Sequence, residues 1–164
     1  MLPILVLDLA TRLGFAVMRN GGNRQIVSGV HVVAKPRTGV GAFLAGYEDW
    51  LAQMLFDEVP AVVVFESPIM PTTTTPEVLR KLIGLAGCTE KMCHRDKITC
   101  YEARNSTVLK YFTGYGGGSR EERKASVLAE CRRLGFKPED DNEADALAIL
   151  HYAVHRLGIE GKAA

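Results

Sequence analysis

The sequence predicts an α/β fold in which helices cover both faces of a mixed, five-stranded sheet. Two observations indicate this class. The first third of the chain contains three short strand-like segments in a row, which is typical of an antiparallel meander. Apolar strand-like runs then alternate with longer segments of helical periodicity, as in parallel strands joined by helices. We expect one domain at 1–158 and a C-terminal tail at 159–164.

Five elements are expected in the first half of the chain. The opening run Pro3–Leu7 is apolar throughout, as in a buried strand. Residues 20–23 (NGGN) are a strong signal for a hairpin turn between the second and third strands. Apolar residues recur at helical spacing from Val40 to Leu55. The five elements are strands at about 3–9, 13–19 and 25–33, a helix at about 40–56 and a strand at about 61–66.

Five further elements are expected in the second half. Thr75 is a good N-cap, Pro76 suits the first helical position and Glu77 lies beside the positive end of the helix dipole. A flexible, glycine-rich loop is expected at 113–119. The elements are a helix at about 76–94, a strand at about 97–101, and helices at about 104–112, 120–134 and 142–157.

The composition is that of a globular protein from a reducing compartment. Of the 164 residues, 47% are hydrophobic and 24% are charged. No apolar stretch approaches the ~20 residues of a membrane span, and the N-terminus lacks the basic segment and cleavage site of a signal peptide, so we expect neither. Together with the cysteine pattern, this predicts a cytoplasmic protein without membrane contact. The four cysteines lack the spacing of a disulfide framework. Cys88, Cys93, His94 and Cys100 lack the spacing of a zinc finger, which favours buried, reduced thiols.

The basic residues are distributed unevenly, although the net charge of +1 gives only weak support to nucleic-acid binding. The segment 104–133 holds seven basic residues against three acidic ones. Such a local excess is typical either of a phosphate-contacting face or of a solvated helix surface. The seven residues are Arg104, Lys110, Arg120, Arg123, Lys124, Arg132 and Arg133.

Acidic residues stand at the ends of three apolar elements. Asp8 ends the first strand, Glu66 ends the fourth, and residues 141–145 (DNEAD) open the last helix. Clustered, buried carboxylates repel one another, so a divalent cation is their simplest compensating partner. Taken singly, they have ordinary explanations as a strand end, a loop acid and a helix cap.

The ligands that this cluster offers are oxygen atoms without thiols, and such a set suits Mg²⁺ or Mn²⁺. Two ions about 4 Å apart can activate a water molecule and stabilise the leaving oxygen of a phosphodiester. Metal-dependent phosphodiester chemistry is therefore the leading hypothesis. Asp141 and Asp145 share a helical face, as do Asn142 and Asp145, whereas Glu143 is expected to point into solvent.

Four segments, in this order, resemble the RuvC-like Holliday junction resolvases of the RNase H-like superfamily. They are Asp8–Gly14, Val62–Glu66, Lys124–Val127 and Asn142–Ile149. The resemblance covers nearly the whole chain and is strongest to the branch encoded by phages and other mobile elements. It implies an RNase H-like fold and a homodimeric, Mg²⁺-dependent endodeoxyribonuclease that resolves four-way DNA junctions by paired phosphodiester hydrolysis.

The same resemblance implies that Asp8, Glu66 and Asp145 are catalytic metal ligands for two Mg²⁺ ions, with Mn²⁺ as a substitute. Familiar resolvases place a fourth ligand three residues before the last aspartate. Asn142 stands at that position here, so Asp141, one residue earlier, is the alternative fourth ligand.

Lys124 corresponds to a basic residue near the scissile phosphate of the family, and it can neutralise charge in the transition state. Gly14 is expected to allow a close backbone approach. Ile69 and Met70, in a proline-rich loop, are candidate wedges between bases or else core residues. Besides Lys124, the expected DNA contacts are Thr11, Arg12, Arg104, Arg120 and Arg123.

Three alternative functions stay open. A nuclease of this fold can act on flaps, other branched DNA or RNA-containing substrates instead. The run Asp8–Thr11 is similar to the first phosphate loop of an actin-like ATP-binding domain, but the chain is too short for the two copies of that fold. The third is a non-catalytic DNA-binding module, which the intact acidic residues disfavour. The apolar face of the helix at 76–94 is expected either in a dimer contact or in the core.

Overall fold

The computed structural model describes residues 2–19, 25–35, 37–68 and 74–156. Within them the chain forms five strands and five helices. The strands are β1 (Ile4–Asp8), β2 (Arg12–Arg19), β3 (Gln25–Val32), β4 (Val62–Glu66) and β5 (Thr99–Ala103). The helices are α1 (Val40–Glu58), α2 (Pro76–Arg95), α3 (Asn105–Thr113), α4 (Arg120–Arg133) and α5 (Asp141–Arg156).

The predicted mixed sheet is confirmed, with strand order β3-β2-β1-β4-β5. The first three strands form the antiparallel meander, and β4 and β5 run parallel to β1 and to each other. Leu7 is the register partner of Phe65. The next residue of each strand is acidic, so Asp8 and Glu66 lie side by side at the carboxyl ends of these two inner strands.

Helices cover both faces of the sheet, as predicted. Leu5 and Leu7 pack on the side of α1 and α2, whereas Ile4 and Val6 pack on the side of α3, α4 and α5. Because successive side chains of a strand alternate between faces, Asp8 is directed to the same side as Val6. The same alternation in β4 directs Glu66 toward the α5 side.

Several expected boundaries differ from the structure by one or two residues, and the largest displacement is that of β5, which runs from Thr99 to Ala103. The strand predicted at 97–101 begins only at Thr99, because α2 ends in a turn that occupies the preceding residues. The N–H of Ile98 bonds to the carbonyl of Cys93 at 2.8 Å, and Lys97 adopts a positive φ of 57°. The chain becomes extended only after that left-handed residue.

Several other expectations can be compared with the described residues. Thr75 caps α2 as expected, since its hydroxyl accepts a bond from the N–H of Val78 at 3.3 Å. The hairpin turn at 20–23, the boundary at 158 and the tail at 159–164 lie outside these residues. Among the described helices, none combines the length and apolar character needed to cross a membrane. All four cysteines are free thiols.

Candidate active site

The carboxylates from three separate elements line one open pocket of about 510 Å³. β1 contributes Asp8, β4 contributes Glu66, and the first two turns of α5 contribute Asp141 and Asp145. Asn142 lines the same pocket. The strands bring their acids there by register, and α5 brings its own because it packs across β1 and β2.

Glu66 has a partner that sequence reasoning missed. Its side chain is only 7% exposed, and its Oε1 accepts a hydrogen bond from Asn105 Nδ2 at 2.5 Å. Ala103, at the end of β5, is the register partner of Glu66. Asn105 follows two residues later as the first residue of α3, so the register of parallel strands is the signal that could have identified it.

The surroundings raise the pKa values of three of these carboxylates, those of Asp8, Glu66 and Asp145. Burial, and then the charges of Glu66 and Asp145, raise the pKa of Asp8 well above its ordinary value. Burial raises the pKa of Glu66 to about 7, although the bond from Asn105 opposes the shift. Burial, and then the charge of Asp141, raise the pKa of Asp145 to about 6. Burial and mutual repulsion therefore make full ionisation of the pocket carboxylates unfavourable without a compensating cation.

The donor set suits a divalent cation, since carboxylate oxygens are the ligands that Mg²⁺ prefers. Among the described residues, no three Asp, Glu, His or Cys side chains converge as closely as a formed metal site requires. Two of the acids instead contact protein groups: Glu66 contacts Asn105, and Asp141 contacts Lys124. Convergence on an ion would require these side chains to turn.

Basic side chains of α4 line the same pocket. They are those of Arg120, Arg123 and Lys124. Lys124 Nζ donates to Asp141 Oδ2. α4 is set by a capping box in which the Ser119 hydroxyl accepts from the N–H of Glu122 at 3.2 Å, and the Glu122 carboxylate accepts from the N–H of Ser119 at 2.7 Å. The pocket therefore has an acidic wall and a basic wall.

Solved structures share this arrangement of strands and helices. RuvC from Thermus thermophilus in complex with Holliday junction substrate has a TM-score of 0.71 at 22% identity, over 96% of this chain and 97% of that one. The chain has a RuvC-like fold. A second T. thermophilus RuvC structure has a TM-score of 0.67 at 22% identity, over 95% and 96% of the two chains.

A more distant neighbour is the yeast mitochondrial Holliday junction resolvase Ydc2, with a TM-score of 0.60 at 13% identity. The match covers 89% of this chain and 75% of Ydc2. The sequence matches no protein-family model and no curated protein. The RuvC-like fold confirms the RNase H-like class that the sequence predicts.

Three expected DNA contacts lie outside the pocket of this RuvC-like fold. Arg12 Nε donates to Asp140 Oδ2 at 2.8 Å. Arg104 is exposed at the N-terminus of α3, and Thr11 is exposed between β1 and β2. Arg12 therefore has a carboxylate partner at the surface, beside the start of α5.

Asp140, which sequence reasoning missed, caps α5. Its Oδ1 accepts a hydrogen bond from the N–H of Glu143 at 3.0 Å, and its carbonyl accepts one from the N–H of Ala144 at 3.1 Å. Partial burial raises its pKa, but bonds from the Glu143 N–H, Arg12 and Asn142 outweigh that effect and leave it below the ordinary value. An aspartate three residues before a glutamate is the sequence signal for such a cap.

The expectation that Glu143 points into solvent is wrong. Its side chain is 8% exposed, because β3 covers this side of the first turn of α5 and Ser28 donates to its carboxylate. The expectation for Gly14 is confirmed. A Cβ on Gly14 would lie 1.9 Å from the carbonyl oxygen of Asn142, so only glycine lets β2 approach α5 this closely.

The remaining candidates lie apart from the pocket. Ile69 and Met70 fall outside the described residues. Cys93 is buried in the core beneath α1 and α2, whereas His94, next to it, is exposed. Cys88 donates to Glu48 Oε1 at 3.1 Å. Cys88 and Cys100 pack against the same core as Cys93, so the thiols lie in or beside this core while the His94 imidazole faces solvent, and no zinc site is formed among these described residues.

Proposed function

We propose that the chain is a metal-dependent endonuclease that resolves four-way DNA junctions. The observation that carries this proposal is a single pocket in which carboxylates from β1, β4 and α5 face three basic side chains of α4. Such a pocket suits a phosphodiester, whose charge needs both cations and basic residues. The RuvC complex with Holliday junction substrate and the resolvase Ydc2 give additional support through the shared fold.

Asp8, Glu66 and Asp145 would hold Mg²⁺ or Mn²⁺, two ions per site. When bound, the ions supply an activated water molecule and stabilise the leaving oxygen. We favour Asp141 as the fourth ligand, because its carboxylate already contacts a cationic group, Lys124. Asn142, by contrast, donates its side-chain N–H to Asp140 Oδ2 at 3.3 Å.

The protein side chains would have distinct tasks around the phosphate. Asn105 fixes the orientation of Glu66 through its hydrogen bond. Lys124 can leave Asp141 for a phosphate oxygen, because its side chain is 37% exposed and an ion pair of that kind is weak. Arg120 and Arg123 line the pocket beside it and would neutralise further phosphate charge.

A homodimer would suit the near two-fold symmetry of a four-way junction, since each chain carries one site and a C2 dimer supplies two. The described part of α2 buries Leu85 and Met92 but leaves Val78 38% and Ile83 47% exposed, which gives this helix an apolar surface for a partner. Light scattering should then show twice the chain mass of 17.9 kDa. The phage or mobile-element origin and the cytoplasmic location stay predictions.

A panel of labelled substrates tests the function. A four-way junction, a duplex, a flap and an RNA–DNA hybrid would each be incubated with Mg²⁺, Mn²⁺ or Ca²⁺. We expect symmetrically paired cuts in the junction with Mg²⁺ and Mn²⁺, and none with Asp8→Asn. Preferred cleavage of flaps or hybrids would favour the alternative nuclease. Junction binding without cleavage under any ion would favour a non-catalytic module, and ATP binding would favour the actin-like domain.

A further inference from the structure

One carboxylate beside the candidate active site does not line its pocket. Glu143 lies in the first turn of α5 and is 8% exposed. Its Oε1 accepts a hydrogen bond from Ser28 Oγ at 2.6 Å, and its Oε2 accepts one from the backbone N–H of Glu139 at 2.6 Å. Burial of a carboxylate is costly unless such bonds replace water. Both oxygens of Glu143 are therefore used inside the protein.

These two bonds connect segments that are far apart in the sequence. Ser28 lies on β3, the edge strand, where it is the register partner of Ala16 on β2. Glu139 immediately precedes the residue that caps α5. Glu143 therefore ties the edge of the sheet to the chain that leads into α5.

The start of α5, which Glu143 connects to β3, carries two of the four carboxylates that line the pocket. Asp141 lies two residues before Glu143, and Asp145 lies two residues after it. Both carboxylates line the same pocket as Asp8 and Glu66, and like charges that share one pocket repel one another. The end of a helix opens more readily than its middle, so repulsion at this turn needs an opposing contact.

We propose that Glu143 is a positioning residue whose two hydrogen bonds hold the first turn of α5, with its carboxylates, against the sheet. It acts through the backbone and the edge strand and touches neither the phosphate nor a metal ion. The expected effect on cleavage rests on the proposed function. The effect on the helix turn does not.

Three variants separate the hydrogen bonds from the charge. Glu143→Ala removes both bonds, and Ser28→Ala removes one. Glu143→Gln can keep both without the charge, because its amide oxygen can accept from Glu139 and its amide nitrogen can donate to Ser28 Oγ. Glu90→Ala is the control, since Glu90 is an exposed acid on α2.

Amide hydrogen exchange of the metal-free protein is the first measurement. We expect faster exchange at 142–146 in Glu143→Ala, a smaller increase in Ser28→Ala, and wild-type exchange in Glu143→Gln and the control. Unchanged exchange in Glu143→Ala would overturn the inference. If that variant does not fold, Ser28→Ala decides by the same criterion.

Cleavage of the labelled junction at saturating DNA is the second measurement. Loss of a residue that orients ligands typically costs about 10- to 100-fold, so we expect that loss for Glu143→Ala, with recovery in Glu143→Gln. An equal loss in both variants would assign the effect to charge and overturn the inference. If the wild type cleaves no substrate but the variants show the expected hydrogen exchange at 142–146, the proposed function fails. The role of Glu143 in holding the first turn of α5 is then still supported.

Discussion

Asp8 and Glu66 stand on neighbouring strands, whereas Asp141 and Asp145 stand on a helix that crosses them. The strand pair is placed by the backbone ladder, in which Leu7 and Phe65 are partners one residue earlier. The helix pair has no such ladder to the sheet, so side chains and one close backbone contact fix its position. The two halves of the pocket therefore differ in how easily a substitution can displace them.

The contacts of the helix half lie around the N-terminus of α5. Asp140 caps the helix and pairs with Arg12, and Glu143 reaches Ser28 on the edge strand. Gly14 lets β2 touch the backbone of the first turn. Substitution of Asp8, Glu66 or Asp145 should impair cleavage to a similar extent, whereas substitution of Gly14, Asp140 or Glu143 should displace mainly the helix half.

The largest effect is expected from the ligands themselves. Asp8→Asn, Glu66→Gln and Asp145→Asn should each reduce junction cleavage by more than about 100-fold. That figure is the upper end of the loss expected for a residue that only orients a ligand. Junction binding should survive, because affinity comes mainly from phosphate contacts elsewhere. Single-turnover cleavage and gel-shift titration would measure the two properties. Near-normal cleavage by Asp8→Asn would remove the assignment of the site.

A smaller effect should distinguish the two candidates for the fourth ligand. Asp141→Asn is expected to reduce cleavage by about 10- to 100-fold, and Asn142→Ala by much less. Stability should change little with Asp141→Asn, since its ion pair with Lys124 is partly exposed. The same cleavage assay and a urea titration would measure both. The reverse ranking would identify Asn142 as the ligand. Mild effects in both variants would mean that three carboxylates are sufficient to hold the ions and that water completes their coordination.

The strand half could be predicted from the sequence because each acid follows an unbroken apolar run. Asp8 and Glu66 are recognisable from Pro3–Leu7 and Val62–Phe65 alone, and parallel pairing of the two strands then brings the acids together. The fold class follows from the same runs and from the helical periodicity between them. Local pattern is sufficient where hydrogen bonds between strands fix the geometry.

The side-chain contacts that support the two halves depend on distances that no local pattern contains. Glu143 is buried only because Ser28, 115 positions away, faces it from the edge strand. Asn105 reaches Glu66 only through the register of β4 and β5. Asp140 is the exception, since its spacing from Glu143 is a capping pattern that is visible in the sequence.

Gly14→Ala should displace the helix half without touching a ligand. Its Cβ would lie 1.9 Å from the carbonyl oxygen of Asn142, so β2 and α5 must separate, at a cost of about 1–3 kcal/mol in the free energy of unfolding. Gly87→Ala on α2 is the matched control, because a Cβ there meets nothing within 4 Å and should add about 0.5–1 kcal/mol of helix stability. Urea denaturation would measure both. Equal stabilities of the two variants would contradict the tight contact.

The smallest effect concerns repulsion between the halves in metal-free buffer. The folded-state pKa values of Asp145, about 6, and Glu66, about 7, lie above the ordinary values of 3.8 and 4.5. Between the ordinary and the raised values the folded protein retains protons that the unfolded chain has lost. Its stability should therefore fall as the pH rises from about 4 to about 7.

Asp145→Asn should make that fall shallower and should raise the stability of the metal-free protein at pH 7 by on the order of 1 kcal/mol. Added Mg²⁺ should stabilise the wild type more than the variant, because an ion that binds only the folded state shifts the equilibrium by mass action. Thermal unfolding across this pH range, with and without Mg²⁺, measures both effects. A metal-free variant clearly less stable than the wild type at pH 7 would show that Asp145 makes a favourable structural contact, and that the two halves of the pocket attract rather than repel.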